Sequence, residues 1–186
     1  MRWNLPNILT WLRIVAIPLI VVLFFLPYPW AEPAAGLLFA AAAITDSLDG
    51  YLARRMGLTS KLGAFLDPVA DKLVVATALV LLVSRHPQWH VVMVGVVIIG
   101  REIAISALRE WMAELGHRTK VAVSAFGKYK TIAQMTGLSM MLFRDPLFGI
   151  SMYDVGVALS VLAAALTLYS MVMYLKAAWP TLKAAD

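Results

Sequence analysis

The chain reads as an all-α integral membrane protein: six transmembrane helices in a bundle, with both termini cytoplasmic. Three observations lead there. The composition is 61% hydrophobic and only 15% charged, with a mean hydropathy of +0.79, well beyond what a water-soluble domain of 186 residues carries. Six apolar stretches can be marked off, at about 8–27, 34–56, 62–84, 88–113, 129–145 and 152–177, against a need for roughly 20 apolar residues to cross hydrocarbon. With the N-terminus inside, all of the 16 Lys and Arg except Arg85 and Arg144 fall on or toward the cytoplasmic side, the bias that an even number of spans should show.

The first stretch opens on Asn4-Leu5-Pro6-Asn7, where an Asn caps free backbone N–H groups and Pro occupies an early turn without losing a hydrogen bond. Arg13 interrupts its apolar run, and Pro33 stands where a small-residue cleavage site would be needed, so a cleaved leader is not expected. Asp46, Asp49 and Arg54 lie in the second stretch, and Asp67 and Asp71 in the third. Between them Thr59-Ser60-Lys61 is a short polar turn that returns the chain antiparallel. The fourth stretch contains Arg101-Glu102 and Arg109-Glu110, and the fifth, the least apolar, opens on Gly127-Lys128-Tyr129-Lys130-Thr131. The sixth is the cleanest, with no charged residue from Val155 to Leu175.

Other features have plain explanations. Trp3, Trp11, Trp30, Trp89 and Trp179 fall near the expected membrane surfaces, as aromatic belts do. The absence of Cys removes disulfides and thiolate metal sites. His86, His90 and His117 are widely separated and read as solvent-facing, without a catalytic role. The excess of 16 basic over 11 acidic residues follows membrane orientation rather than a nucleic-acid partner. No repeat, low-complexity tract or linker divides the chain, so one domain is expected over residues 1–186.

The four acids of the second and third stretches carry the chemistry. A charged side chain at mid-bilayer costs roughly 2.5–3.5 kcal/mol on insertion scales, so acids gathered near one depth call for a cation. At about 100° per residue, Asp46 and Asp49 lie about 60° apart on one helical face, and Asp67 and Asp71 about 40° apart on another. An antiparallel turn brings both pairs to the same cytoplasmic depth, as one cluster of four oxygen donors. Carboxylates without Cys or His are hard ligands, suited to Mg²⁺ or Mn²⁺, and the cluster has room for two ions. Gly50, Ala53 and Gly63 keep space open beside them, although small residues also serve close helix packing. The competing account of the acids is a set of buried ion pairs with Arg54, Arg55, Lys61 or Lys72, which their number and spacing disfavour.

The pattern Asp46-x2-Asp49-Gly50-x2-Ala53-Arg54-x8-Gly63-x3-Asp67-x3-Asp71 resembles the signature of the CDP-alcohol phosphatidyltransferases, with every position filled. That resemblance implies a six-helix membrane bundle, usually a homodimer, with its site open to the cytoplasm. It implies that Asp46, Asp49, Asp67 and Asp71 surround a pair of divalent ions. Gly50, Ala53, Arg54 and Gly63 would border the cytidine diphosphate of CDP-diacylglycerol, and Asp71 would act as general base on the attacking hydroxyl.

The acceptor alcohol varies across that family, so the second half of the chain must select it. Arg101 and Arg109 lie about 80° apart on one helix, and Lys128 and Lys130 sit at a helix start whose free N–H groups favour an anion. The four outline a phosphate pocket, against ordinary flanking charge for the lysines and pairing with Glu102, Glu110 or Glu114 for the arginines. Arg-Glu-x6-Arg-Glu, Gly-Lys-x-Lys-Thr-x2-Gln ending at Gln134, and Asn4-x-Pro6-Asn7-x2-Thr10-x2-Arg13 look like the branch that uses sn-glycerol 3-phosphate, the phosphatidylglycerophosphate synthases. The implied location is the inner membrane of a bacterium, with membrane lipid around the protein. The rivals are the same chemistry on another acceptor, as in cardiolipin or phosphatidylinositol-phosphate synthases, and a divalent-cation transporter whose carboxylates line a path.

Overall fold

A computed structural model describes residues 5–56, 61–114 and 125–184. They form six helices: α1 (Leu5–Phe25), α2 (Ala31–Met56), α3 (Lys61–Arg85), α4 (Trp89–Glu114), α5 (Ala125–Phe143) and α6 (Met152–Ala184). Each matches one expected apolar stretch to within a few residues, apart from the longer C-terminal end of α6. The expected turn at Thr59-Ser60-Lys61 falls mainly on residues 57–60, outside the described residues.

Apolar side chains lie on the outside of the bundle as well as in its core. α1 buries Thr10, Arg13, Ala16, Ile20 and Phe24 along one face, at steps of three and four, while Leu12, Val15, Leu19 and Val22 are exposed. Val80 of α3, Val96 and Ile103 of α4, and Leu168 and Val172 of α6 are exposed as well. Apolar surface on this scale suits lipid rather than water. Among the described residues, three helices are long and apolar enough to cross a bilayer, over Ile8–Phe25, Trp89–Met112 and Met152–Lys176. The other three carry Asp46 and Asp49 in α2, Asp67, Asp71 and Lys72 in α3, and Lys128 and Lys130 in α5, while α1 also holds Arg13 and α4 holds Arg101 and Glu102.

The core runs between the helices through Ile20 and Phe24, Phe39, Leu79 and Leu82, Ile98, and Leu138 and Leu142. α5 and α6 cross closely where Gly137 faces Gly156 and Ser160, a small-residue contact common between membrane helices. α1 packs against both α2 and α3, which touch each other little among the described residues. α1 thus sits as the shared neighbour of the two acid-bearing helices.

The two ends of the bundle are polar in different ways. At one, Glu32 near the start of α2 accepts hydrogen bonds from Arg85 and, at 3.2 Å, from Arg144. Arg85 also donates to the Phe24 carbonyl at 3.1 Å and lies over the Phe24 ring. These are the two arginines that the charge pattern sets apart from the rest. His86, expected to face solvent, instead packs on the Tyr153 ring at 4.7 Å between centroids. Burial, then Arg144 and Arg85, lowers its pKa, because all three disfavour imidazolium. His90 is half-buried, and His117 lies outside the described residues. The connection after α5 closes in a tight turn, where Leu147 and Ile150 exchange backbone hydrogen bonds and Phe148 and Gly149 both take positive φ, 53° and 76°. Asp46 lies fourteen residues after Glu32 on α2, about 21 Å along the helix, so the acidic end is opposite this arginine-rich one.

Candidate active site

Arg13 is an isolated charge in an apolar helix, and such a group needs partners. Its guanidinium forks. Nη2 pairs with Asp46 of α2 at 3.1 Å, and Nη1 donates to Asp71 of α3. One turn earlier on the same face of α1, the Thr10 hydroxyl donates to Asp67. Three of the four expected acids are therefore gathered on one face of α1. The Arg13 side chain is 1% exposed, whereas Asp46 and Asp71 keep 30% and 38%. The guanidinium is the buried side of this assembly and the carboxylates form its accessible side.

The sequence predicts one cluster of four carboxylates, with ion pairing to Arg54, Arg55, Lys61 or Lys72 as the competing account, and the side chains of Arg54, Arg55 and Lys61 lie outside the described residues. The structure has an ion pair from another source, Arg13, while Lys72 donates to Ser106 of α4 at 2.5 Å. Among the described residues, no three carboxylates or histidines close into a metal cage. Asp49 has a helical backbone one turn after Asp46, and its side chain lies outside the described residues. The same holds for Gly50, Ala53 and Arg54. Gly63 is buried near the start of α3. Oxygen-only donors, partly accessible and held from behind by a guanidinium and a hydroxyl, are of a type that fits a hard divalent cation, with the supporting hydrogen bonds such ligands normally have.

The expected phosphate pocket is described in part. Arg101 pairs with its neighbour Glu102 at 2.5 Å, one of the pairings weighed against phosphate binding, yet its buried Nε has no hydrogen-bond partner among the described residues. Lys130 is buried at 7% exposure, with Gln134 one turn along α5 also buried. The side chains of Arg109 and Lys128 lie outside the described residues, while the backbone of α5 is helical from Ala125, three residues before Lys128.

Thr10 and Arg13 are the residues that a reading of the acids alone overlooks. Their signal was present in the sequence: a hydroxyl and a cation three residues apart in an otherwise apolar helix.

Comparison with known proteins agrees with this arrangement. A family profile described as CDP-alcohol phosphatidyltransferase matches residues 3–179. The chain is 51% identical over 178 residues, covering 96% of each, to the CDP-diacylglycerol–glycerol-3-phosphate 3-phosphatidyltransferase of Salmonella choleraesuis (strain SC-B67). Proteins of the same name from Shigella flexneri serotype 5b (strain 8401) and Escherichia coli (strain K12) are 51% and 50% identical over the same share of each chain. With its acid pairs on two helices and its match along nearly the whole length, this chain belongs to the CDP-alcohol phosphatidyltransferase family.

Proposed function

We propose that this protein transfers the phosphatidyl group of CDP-diacylglycerol to sn-glycerol 3-phosphate, giving phosphatidylglycerol phosphate and CMP. The observation that carries the reading is the gathering of Asp46, Asp67 and Asp71 on α1 in a chain half identical to enzymes named for these two substrates. A hydroxyl oxygen of glycerol phosphate attacks the β-phosphorus in line. The new P–O bond forms as the bond to the bridging pyrophosphate oxygen breaks, and CMP leaves with that electron pair. Asp71 accepts the hydroxyl proton. Asp46, Asp49, Asp67 and Asp71 would hold Mg²⁺ or Mn²⁺, as two ions, whose charge would neutralise the pyrophosphate. Gly50, Ala53, Arg54 and Gly63 border the cytidine diphosphate. Arg101, Arg109, Lys128 and Lys130 bind the acceptor phosphate, for which guanidinium and ammonium groups are the suitable partners.

In this reading all six helices span the inner membrane of a bacterium, as a homodimer, with both termini and the site facing the cytoplasm. Support comes from the basic residues: Arg85 and Arg144, the two that the charge pattern sets apart, meet on Glu32 at the end opposite the acids. A cation conduit is disfavoured, because beyond the acids the core is apolar and the far end is lined by arginines.

The test is CMP release from CDP-diacylglycerol with a panel of acceptors. Release with glycerol 3-phosphate and not with inositol phosphate, serine or phosphatidylglycerol is expected. Turnover with inositol phosphate alone would end the choice of acceptor, and cation flux into liposomes lacking CDP-diacylglycerol would favour the transporter.

A further inference from the structure

We infer that Arg13 is a positioning residue: its guanidinium sets the separation of Asp46 and Asp71, so that the two carboxylates are preorganised for a divalent cation. The inference rests on the metal reading proposed above and adds a role for α1.

The two ends of the guanidinium go to different helices, Nη2 to Asp46 of α2 and Nη1 to Asp71 of α3. Simple neutralisation would need only one of these contacts. A planar fork has fixed geometry, so a group bonded at both ends works as a spacer as well as a charge. A spacer matters here because α2 and α3 have little direct contact among the described residues, and α1 is the element packed against both. Thr10 does the same for Asp67 from one turn away, through a neutral hydroxyl. The burial is graded in the right sense, with Arg13 at 1% beneath acids that keep 30% and 38%. Arg13 therefore holds the carboxylates from the side away from an arriving cation.

Charge and geometry act in opposite directions at this residue. The positive charge repels an incoming cation, whereas the fixed spacing favours it by removing the freedom that the acids would otherwise lose on binding. Arg13→Lys separates the two effects, since the charge remains and the fork is lost.

The experiment titrates Mn²⁺ into the full-length protein in lipid nanodiscs without substrate, following free Mn²⁺ by electron paramagnetic resonance. Wild type, Arg13→Lys and Thr10→Val are compared. Arg13→Lys is expected to weaken Mn²⁺ binding by about tenfold or more, in the range of lost supporting hydrogen bonds at metal sites. It should also lower kcat while the KM for glycerol 3-phosphate stays within about twofold. Mn²⁺ binding in Arg13→Lys that is unchanged or tighter would show Arg13 to be a counter-charge only and overturn the inference. Should Arg13→Lys fail to fold, Thr10→Val decides: binding weaker by about tenfold supports a positioning role for this face of α1, and wild-type affinity refutes it. Absence of saturable Mn²⁺ binding by wild type would instead sink the metal reading, and the inference with it.

Discussion

Gly137 of α5 and Gly156 of α6 face each other so closely that a Cβ on either would lie within 2.9 Å of the other's carbonyl oxygen. No L-residue with a side chain fits there without moving a helix, since the obstacle is backbone. Gly156→Ala is expected to destabilise the protein by about 1–3 kcal/mol, the usual scale of overpacking. It should also reduce activity, because α5 carries Lys130. Thermal melting in detergent checks the first effect. An unshifted melting temperature would mean that the helices can separate freely.

Asp71→Asn keeps the shape of the side chain and removes its capacity to take a proton. CMP release should fall by about 10²–10⁴-fold, the usual contribution of a general base, while CDP-diacylglycerol still binds. The check is single-turnover CMP release beside an equilibrium binding measurement. Unchanged turnover would refute the assignment.

Arg101→Ala and Arg109→Ala should each raise the KM for glycerol 3-phosphate by about tenfold or more, with a smaller effect on the KM for CDP-diacylglycerol, since a charged hydrogen bond contributes about 1.5–3 kcal/mol. Arg101 is the sharper test, because Glu102 already engages it. If that pair is structural, Arg101→Ala will lower the melting temperature and leave both KM values alone.

At the opposite end, His86 rests on Tyr153 with its pKa lowered by burial and then by Arg144 and Arg85. A group whose folded pKa is depressed contributes stability that is present above its unfolded value of 6.5 and is lost as the pH falls through the lowered folded value. Melting temperature should therefore decline as the pH drops below about 6.5. His86→Phe should flatten that part of the profile, and an identical pH dependence in the variant would rule His86 out as its source.

Much of this architecture follows from the chain read in order. Helix lengths and the angular placement of Asp46 with Asp49 and of Asp67 with Asp71 depend on local periodicity, which acts within a few residues. The charge bias likewise needs only positions along the chain, and it singled out Arg85 and Arg144, which do meet on Glu32. Partnership between helices is another matter. Thr10 and Arg13 reach acids 57 and 58 residues away, and nothing local to α1 names those partners. Beyond Thr10 and Arg13, hydropathy does not separate the two faces of α1, because the exposed Leu12 and Val15 are as apolar as Ile20 in the core. In water, polarity distinguishes outside from inside. In this bundle both sides are apolar, so only side-chain fit across the tertiary structure placed α1 between α2 and α3 and closed Arg13 onto Asp46 and Asp71.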